Sequence, residues 1–362
     1  FSMYNKTIKM SQLRMKLSDV GLLGEVYIPP HHLPPYDLAC IEDLHLPTQN
    51  KNYLSRGKKY YEESTCFQLI LDIFDYHNRL RTTTNPYISY ILMDHILNGL
   101  LRLLDSLIAH DQPEFINYYI QKSKEMAQGL VDFFMGKTHF TVSSYIISFP
   151  HHMAKLKPRV YLEGDNHLLT LISVMQMPRS DVCVGILLGG AASAAIYSAY
   201  HQSQLNYLKI SRYDDTKKCN EFLWGNPIDL RPSVLILDDN CGTGKTLHLA
   251  KSILKNHYQI DAKIAAIELH WEKLLRVKGY YHQDSVFDLS SLDYLTPWNV
   301  RHHHLLKQLV QQPSTTQNHT TNIMEWLVYS KSVLNLLSNL GTQTQAFDSL
   351  RNYCLKLECY SA

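Results

Sequence analysis

The sequence predicts an α/β protein: a parallel sheet with crossover helices, preceded by a mainly helical region and followed by further helices. Three observations predict it. Short apolar, β-branched runs alternate with helical segments between about 155 and 270. Residues 62–136 carry apolar positions at helical spacing instead. The tail regains that spacing at Ile323, Leu327, Val333, Leu336, Leu337 and Leu340.

Taken in order, the first sixty residues hold Ile28-Pro29-Pro30-His31-His32-Leu33-Pro34-Pro35, which can continue neither a helix nor a central strand. Three helices are then expected. Leu69, Ile70, Ile73, Phe74 and Leu80 form one apolar face, and Ile91, Leu92, Ile96, Leu100, Leu103 and Leu104 a second. Phe115, Tyr119, Met126 and Leu130 begin a third, and Asn85-Pro86 and Asp111-Gln112-Pro113 separate the segments. Strands are expected at Val182–Leu188, Leu205–Ser211, Ser233–Leu237 and Lys263–Glu268, with helices at Ala191–Tyr200 and Thr246–His257. The polar stretch 311–318 reads as a linker. The expected units are 1–152, a helical accessory domain with a Pro/His-rich start; 153–300, the α/β domain; and 301–362, linker and C-terminal helices.

Composition excludes several classes. With 362 residues, 45% hydrophobic and 19% charged, the chain is long and apolar enough for two or three domains. Its net charge of +2 argues against wholesale nucleic-acid or membrane binding, and no basic helix-turn-helix stands out. Seven cysteines without a CxxC pair read as reduced thiols, hence a soluble cytoplasmic protein. The apolar runs are too short to span a bilayer as helices. The histidine runs His151-His152 and His302-His303-His304 have no acid or cysteine cluster beside them and read as surface or packing residues.

The informative stretch is Val234-Leu235-Ile236-Leu237-Asp238-Asp239-Asn240-Cys241-Gly242-Thr243-Gly244-Lys245-Thr246. A buried strand runs into two carboxylates, then through a small-residue loop into a helix start. The loop presents backbone N–H groups and hydroxyls to a phosphate, and the helix N-terminus adds its dipole. The carboxylates suit hydroxyl groups or a divalent metal beside it. Together they describe a sugar phosphate. A P-loop would need glycine where Asp239 stands, and a carboxylate there repels a triphosphate. As a P-loop ATPase the chain would have only Glu268, at the fourth strand end, for magnesium and water.

This stretch resembles the signature of the type I phosphoribosyltransferases: strand, acid pair, short spacer, and Thr-Gly-Lys-Thr in the hypoxanthine-guanine branch. The resemblance covers about residues 155–300. It implies a phosphoribosyltransferase-like core using Mg²⁺ and phosphoribosyl pyrophosphate (PRPP). Asp238 and Asp239 would be the catalytic pair on the ribose hydroxyls, and Gly242, Thr243, Gly244, Lys245 and Thr246 the 5-phosphate cradle. Leu188, Gly189 and Gly190 would be the pyrophosphate loop, with a cis bond at Leu187–Leu188, although many members carry Lys or Arg where Leu188 stands. Lys209 and Arg212 would be basic residues at the root of a mobile lid, Asp214–Asn226, and Tyr294 and Trp298 would belong to a hood over the base. Gly242 replaces the aspartate that accepts the purine proton in the hypoxanthine-guanine enzymes.

The resemblance therefore implies an enzyme transferring phosphoribose to a nitrogenous acceptor, with purine-like bases among the candidates, acting as a homodimer. A second reading is a regulatory or defence/stress effector that keeps the fold and binds PRPP or a nucleotide, the helical flanks serving as surfaces for a protein partner. The Gly242 and Leu188 departures favour it or an unusual acceptor.

Overall fold

The computed structural model describes residues 63–83, 86–135, 137, 140, 147–159, 167–175, 177–210, 222–228, 232–241, 244–269 and 355. The expected C-terminal helices, the linker and the N-terminal proline stretch lie outside them.

Three helices come first: α1 (Cys66–Thr82), α2 (Pro86–Ala109) and α3 (Pro113–Phe134). Thr65 caps α1, its side chain accepting the Gln68 N–H at 3.2 Å, and Arg79 and Arg81 complement the dipole in its last turn. A proline opens α2, where its missing N–H costs nothing. Of its buried residues, Leu92, Met93, Ile96, Leu97, Leu100, Leu103, Leu104 and Leu107 point in several directions, which suits the middle helix of a layer. Pro113 and Glu114 start α3.

After a short 3-10 turn at His151–Met153 come α4 (His167–Met175), β1 (Val182–Leu187), α5 (Ala191–His201), β2 (Gln204–Lys209), β3 (Leu223–Trp224), β4 (Val234–Cys241), α6 (Lys245–Tyr258) and β5 (Ala262–Leu269). The strands form one sheet in the order β3-β2-β1-β4-β5. All neighbours run parallel except β2 and β3. The protein is thus a mixed α/β structure with a mostly parallel five-stranded sheet.

Period-two alternation divides the strand side chains between two faces. Cys183, Leu187, Leu205, Tyr207, Leu235, Leu237, Ala265 and Ile267 join one continuous core with α1–α5. Val184, Ile186, Leu208, Ile236 and Ile264 pack under α6 with Leu247, Ile253 and Leu254. The helical layer is also fastened by polar contacts. Lys124 on α3 donates to the Ser203 carbonyl at 2.6 Å, and burial lowers its affinity for the proton.

Three differences from the sequence reading stand out. β4 does not stop at Leu237 but runs through both aspartates to Cys241. α4 was not anticipated. β3, two residues long, forms inside the stretch read as a lid, and 214–221 of that stretch lie outside the described residues.

Candidate functional site

The sheet order creates a switch point. From β1 the chain passes through α5 to β2 on one side, and from β4 through α6 to β5 on the other. β1 and β4 are adjacent, in register from Val182–Val234 to Gly185–Leu237. Their carboxyl ends therefore flank a crevice from which the two crossover helices depart in opposite directions, where open α/β sheets take ligands.

Each flank ends in a helix start without an acidic residue in its first turn and without a capping side chain. At α5 the cap is Gly190, and the preceding Leu187–Leu188 peptide is cis, at the bond the resemblance implies. At α6 the cap is Gly244, with φ 76°, a left-handed conformation that glycine adopts without a β-carbon clash. Lys245 and Thr246 form the first turn of α6, Lys245 exposed and Thr246 half-buried. Both ends present partial positive charge to whatever occupies the crevice.

The acid pair is on β4, ahead of α6 in the chain, and Asp238 lies against Gly190 at the α5 start. Asp238 is 9% exposed and Asp239 half-buried. Asp238 Oδ1 accepts the Asp239 N–H at 3.1 Å, and Asp239 Oδ1 accepts the Asn240 N–H at 2.7 Å, so local backbone donors orient both carboxylates. A β-carbon on Gly190 would stand 3.2 Å from Asp238 Oδ1. The loop after β1 and the acid pair of β4 are thus one site.

Of the remaining expected residues, Leu188 is 8% exposed and Gly189 half-buried. Lys209 ends β2, at the root of the stretch expected to be a lid, and is 1% exposed, its Nζ lying 3.2 Å from Asp105 Oδ1 on α2. The reason is alternation: Lys209 shares a sheet face with Leu205 and Tyr207, which the helical layer covers. Gly242, Thr243, Arg212, Tyr294 and Trp298 lie outside the described residues. Cys241 is buried, and His151 and His152 are exposed.

Sequence reading missed a set of buried charges on α2. Asp94 pairs with His167 at the start of α4, each side chain 1% exposed. Asp105 Oδ2 lies 3.7 Å from Arg159 Nε. Their signal was available: on a helix Asp94, Asn98, Arg102 and Asp105 fall along one side of an otherwise apolar segment.

No group of three or more His, Cys, Asp or Glu side chains able to hold a metal occurs among the described residues. The acid pair still fits Mg²⁺ carried by a phosphorylated ligand, since that ion uses one or two carboxylates plus ligand oxygens and waters. Among the described residues no helix is long and apolar enough to cross a membrane.

Fold and site together define a mixed α/β protein whose mostly parallel sheet opens a switch-point crevice between two anion-suited helix starts and an acid pair. No family model matches the chain, and no curated protein matches it. Among solved structures it is similar to orotate phosphoribosyltransferase from Aeropyrum pernix, at 16% identity and a TM-score of 0.24, over 35% of this chain and 88% of that one. A score that low leaves the reading to the strand order and the site.

Proposed function

We propose that the chain binds Mg·PRPP in this crevice and transfers phosphoribose to a nitrogenous acceptor. The observation that carries the reading is the pair of helix starts, free of first-turn acids and of capping side chains, together with an oriented acid pair ahead of one in the chain and against the other. A ligand with two separated anionic groups and hydroxyls between them matches that layout.

In this reading the N–H groups at Leu188–Gly190 and the α5 start receive the pyrophosphate. The segment from Gly242 to Thr246 and the α6 start hold the 5-phosphate. Asp238 and Asp239 accept hydrogen bonds from the ribose hydroxyls and stabilise the oxocarbenium-like ribose as the C1–O bond breaks. Mg²⁺, when bound, neutralises pyrophosphate as it leaves. Arg212 closes over pyrophosphate, and Tyr294 and Trp298 form the hood for the acceptor base. The enzyme acts as a cytoplasmic homodimer.

A second reading, a PRPP- or nucleotide-binding regulatory protein, is favoured by one observation: an apolar, 8%-exposed Leu188 stands where many of the resembling enzymes carry a cation. Calorimetric titration with Mg·PRPP, with ATP and a purine monophosphate as controls, tests the shared site. A pyrophosphate-release assay with candidate bases separates enzyme from regulator. Binding of ATP in place of PRPP would return the P-loop reading.

A further inference from the structure

Asp238, Asp239 and Asn240 are three consecutive residues near the carboxyl end of β4 whose side chains carry acceptor oxygens. Main-chain N–H groups serve the first two: Asp238 Oδ1 accepts from Asp239, and Asp239 Oδ1 from Asn240. The third oxygen differs. Asn240 Oδ1 is shielded from solvent and has no hydrogen-bond partner. Elsewhere in the sheet the chain satisfies such an amide. Asn206 on β2 accepts at Oδ1 from Gln204 Nε2 at 2.8 Å and donates from Nδ2 to the Asn226 carbonyl at 2.9 Å.

A shielded acceptor without a donor costs free energy, and an apolar side chain of the same size in its place would not. Asparagine at this position is explained by a donor that arrives with a ligand. Asp238 and Asn240 are two residues apart on an extended strand, so both project from one face of β4, and Asp238 lies against Gly190 in the crevice. Asn240 is half-buried, like Asp239, and not closed inside the core. Its amide torsion is broad, so the oxygen can turn to meet a donor on binding. The chemistry selects the ligand group. A row of three acceptors is completed by donors, and phosphate oxygens accept whereas hydroxyl groups donate.

We propose that Asn240 is a binding residue of the crevice, its amide oxygen accepting a hydrogen bond from a ribose hydroxyl of the ligand; the ligand class rests on the phosphoribosyl reading above. Asn240 extends the acid pair into a three-residue clamp on the pentose. The free protein holds an unsatisfied acceptor, and the ligand satisfies it.

The experiment is calorimetric titration of Mg·PRPP and, separately, of ribose 5-phosphate into the full chain and into Asn240→Leu and Asn240→Ala, beside urea denaturation of each ligand-free protein. Asn240→Leu replaces the amide by an apolar side chain of similar size. It is expected to weaken both ligands by about tenfold or more and to leave ligand-free stability equal to or above that of the wild type. Asn240→Ala, which overpacks nothing, should show the same loss of affinity. Unchanged affinity in both variants overturns the assignment and leaves the phosphoribosyl reading standing. Affinity that falls only in step with ligand-free stability in both variants makes the amide a structural group and overturns the assignment too. Asn240-dependent binding of ribose 5-phosphate without any binding of Mg·PRPP supports the assignment and overturns that reading. A wild-type chain that binds neither overturns both.

Discussion

Gly190 is pressed against Asp238: a β-carbon on the glycine would stand 2.8 Å from the aspartate Cα and 3.2 Å from its Oδ1. It would also strike the Leu237 carbonyl oxygen. These neighbours are mostly main chain in the centre of a parallel sheet, so they cannot swing aside. Gly190→Ala should therefore cost about 1–3 kcal/mol of stability, as overpacking does. It should also push the loop and the acid pair apart and weaken Mg·PRPP binding. Urea denaturation and calorimetry on the same preparation check both effects. Unchanged stability would show that the loop can move away from β4.

The Asp94–His167 pair ties α2 to α4 with both side chains 1% exposed. Asn98 Nδ2 adds a donor to Asp94 Oδ1 at 3.2 Å. Removing one partner leaves the other buried without its counter-group, so Asp94→Ala should destabilise by about 3–5 kcal/mol. The Asp94→Ala/His167→Ala double variant should lose less than the sum of the single losses. Strict additivity in that cycle would show that the two groups are not energetically coupled.

Asp181 supplies a pH test. Its Oδ2 accepts the Ser233 N–H at 3.0 Å and the Ser233 hydroxyl at 2.9 Å, joining the starts of β1 and β4. The backbone N–H, then the hydroxyl, holds the carboxyl below its ordinary range. A lowered folded value means the contribution is complete above the unfolded value, about 3.9, and fades as pH falls through the folded one. Asp181→Asn should thus melt lower than wild type at neutral pH, and the gap should close in acid. A gap that persists in acid would assign the effect to packing rather than charge.

What the sequence made legible, and what it hid, follows from how each signal arises. Val182–Leu187 is an apolar strand that runs toward glycines, and Val234–Leu237 is the apolar part of β4 that runs into two carboxylates, a local signature that a linear reading captures; the continuation of β4 to Cys241 rests on its pairing with β5. The segment His167–Met175 is apolar on most sides, so periodicity could not separate helix from buried strand there. β3 is two residues long and exists only through its pairing with β2. Lys209 stands at a strand end, and its partner, Asp105, sits on a helix far away in the chain. Read alone, a lysine at a strand end points to solvent or ligand, and only the covering layer makes it buried. The same layer brings in Arg159, which no motif marks.

The central claim is that Asp238 and Asp239 hold the ribose of a phosphoribosyl ligand between two helix starts. The most direct measurement is calorimetric titration of Mg·PRPP into wild type and into the Asp238→Asn/Asp239→Asn variant, with a melt of each. The predicted result is binding by the wild type and loss of about tenfold or more in the variant, with the melting temperature preserved. Equal affinity in both proteins, or a wild type that binds ATP and not PRPP, would contradict it.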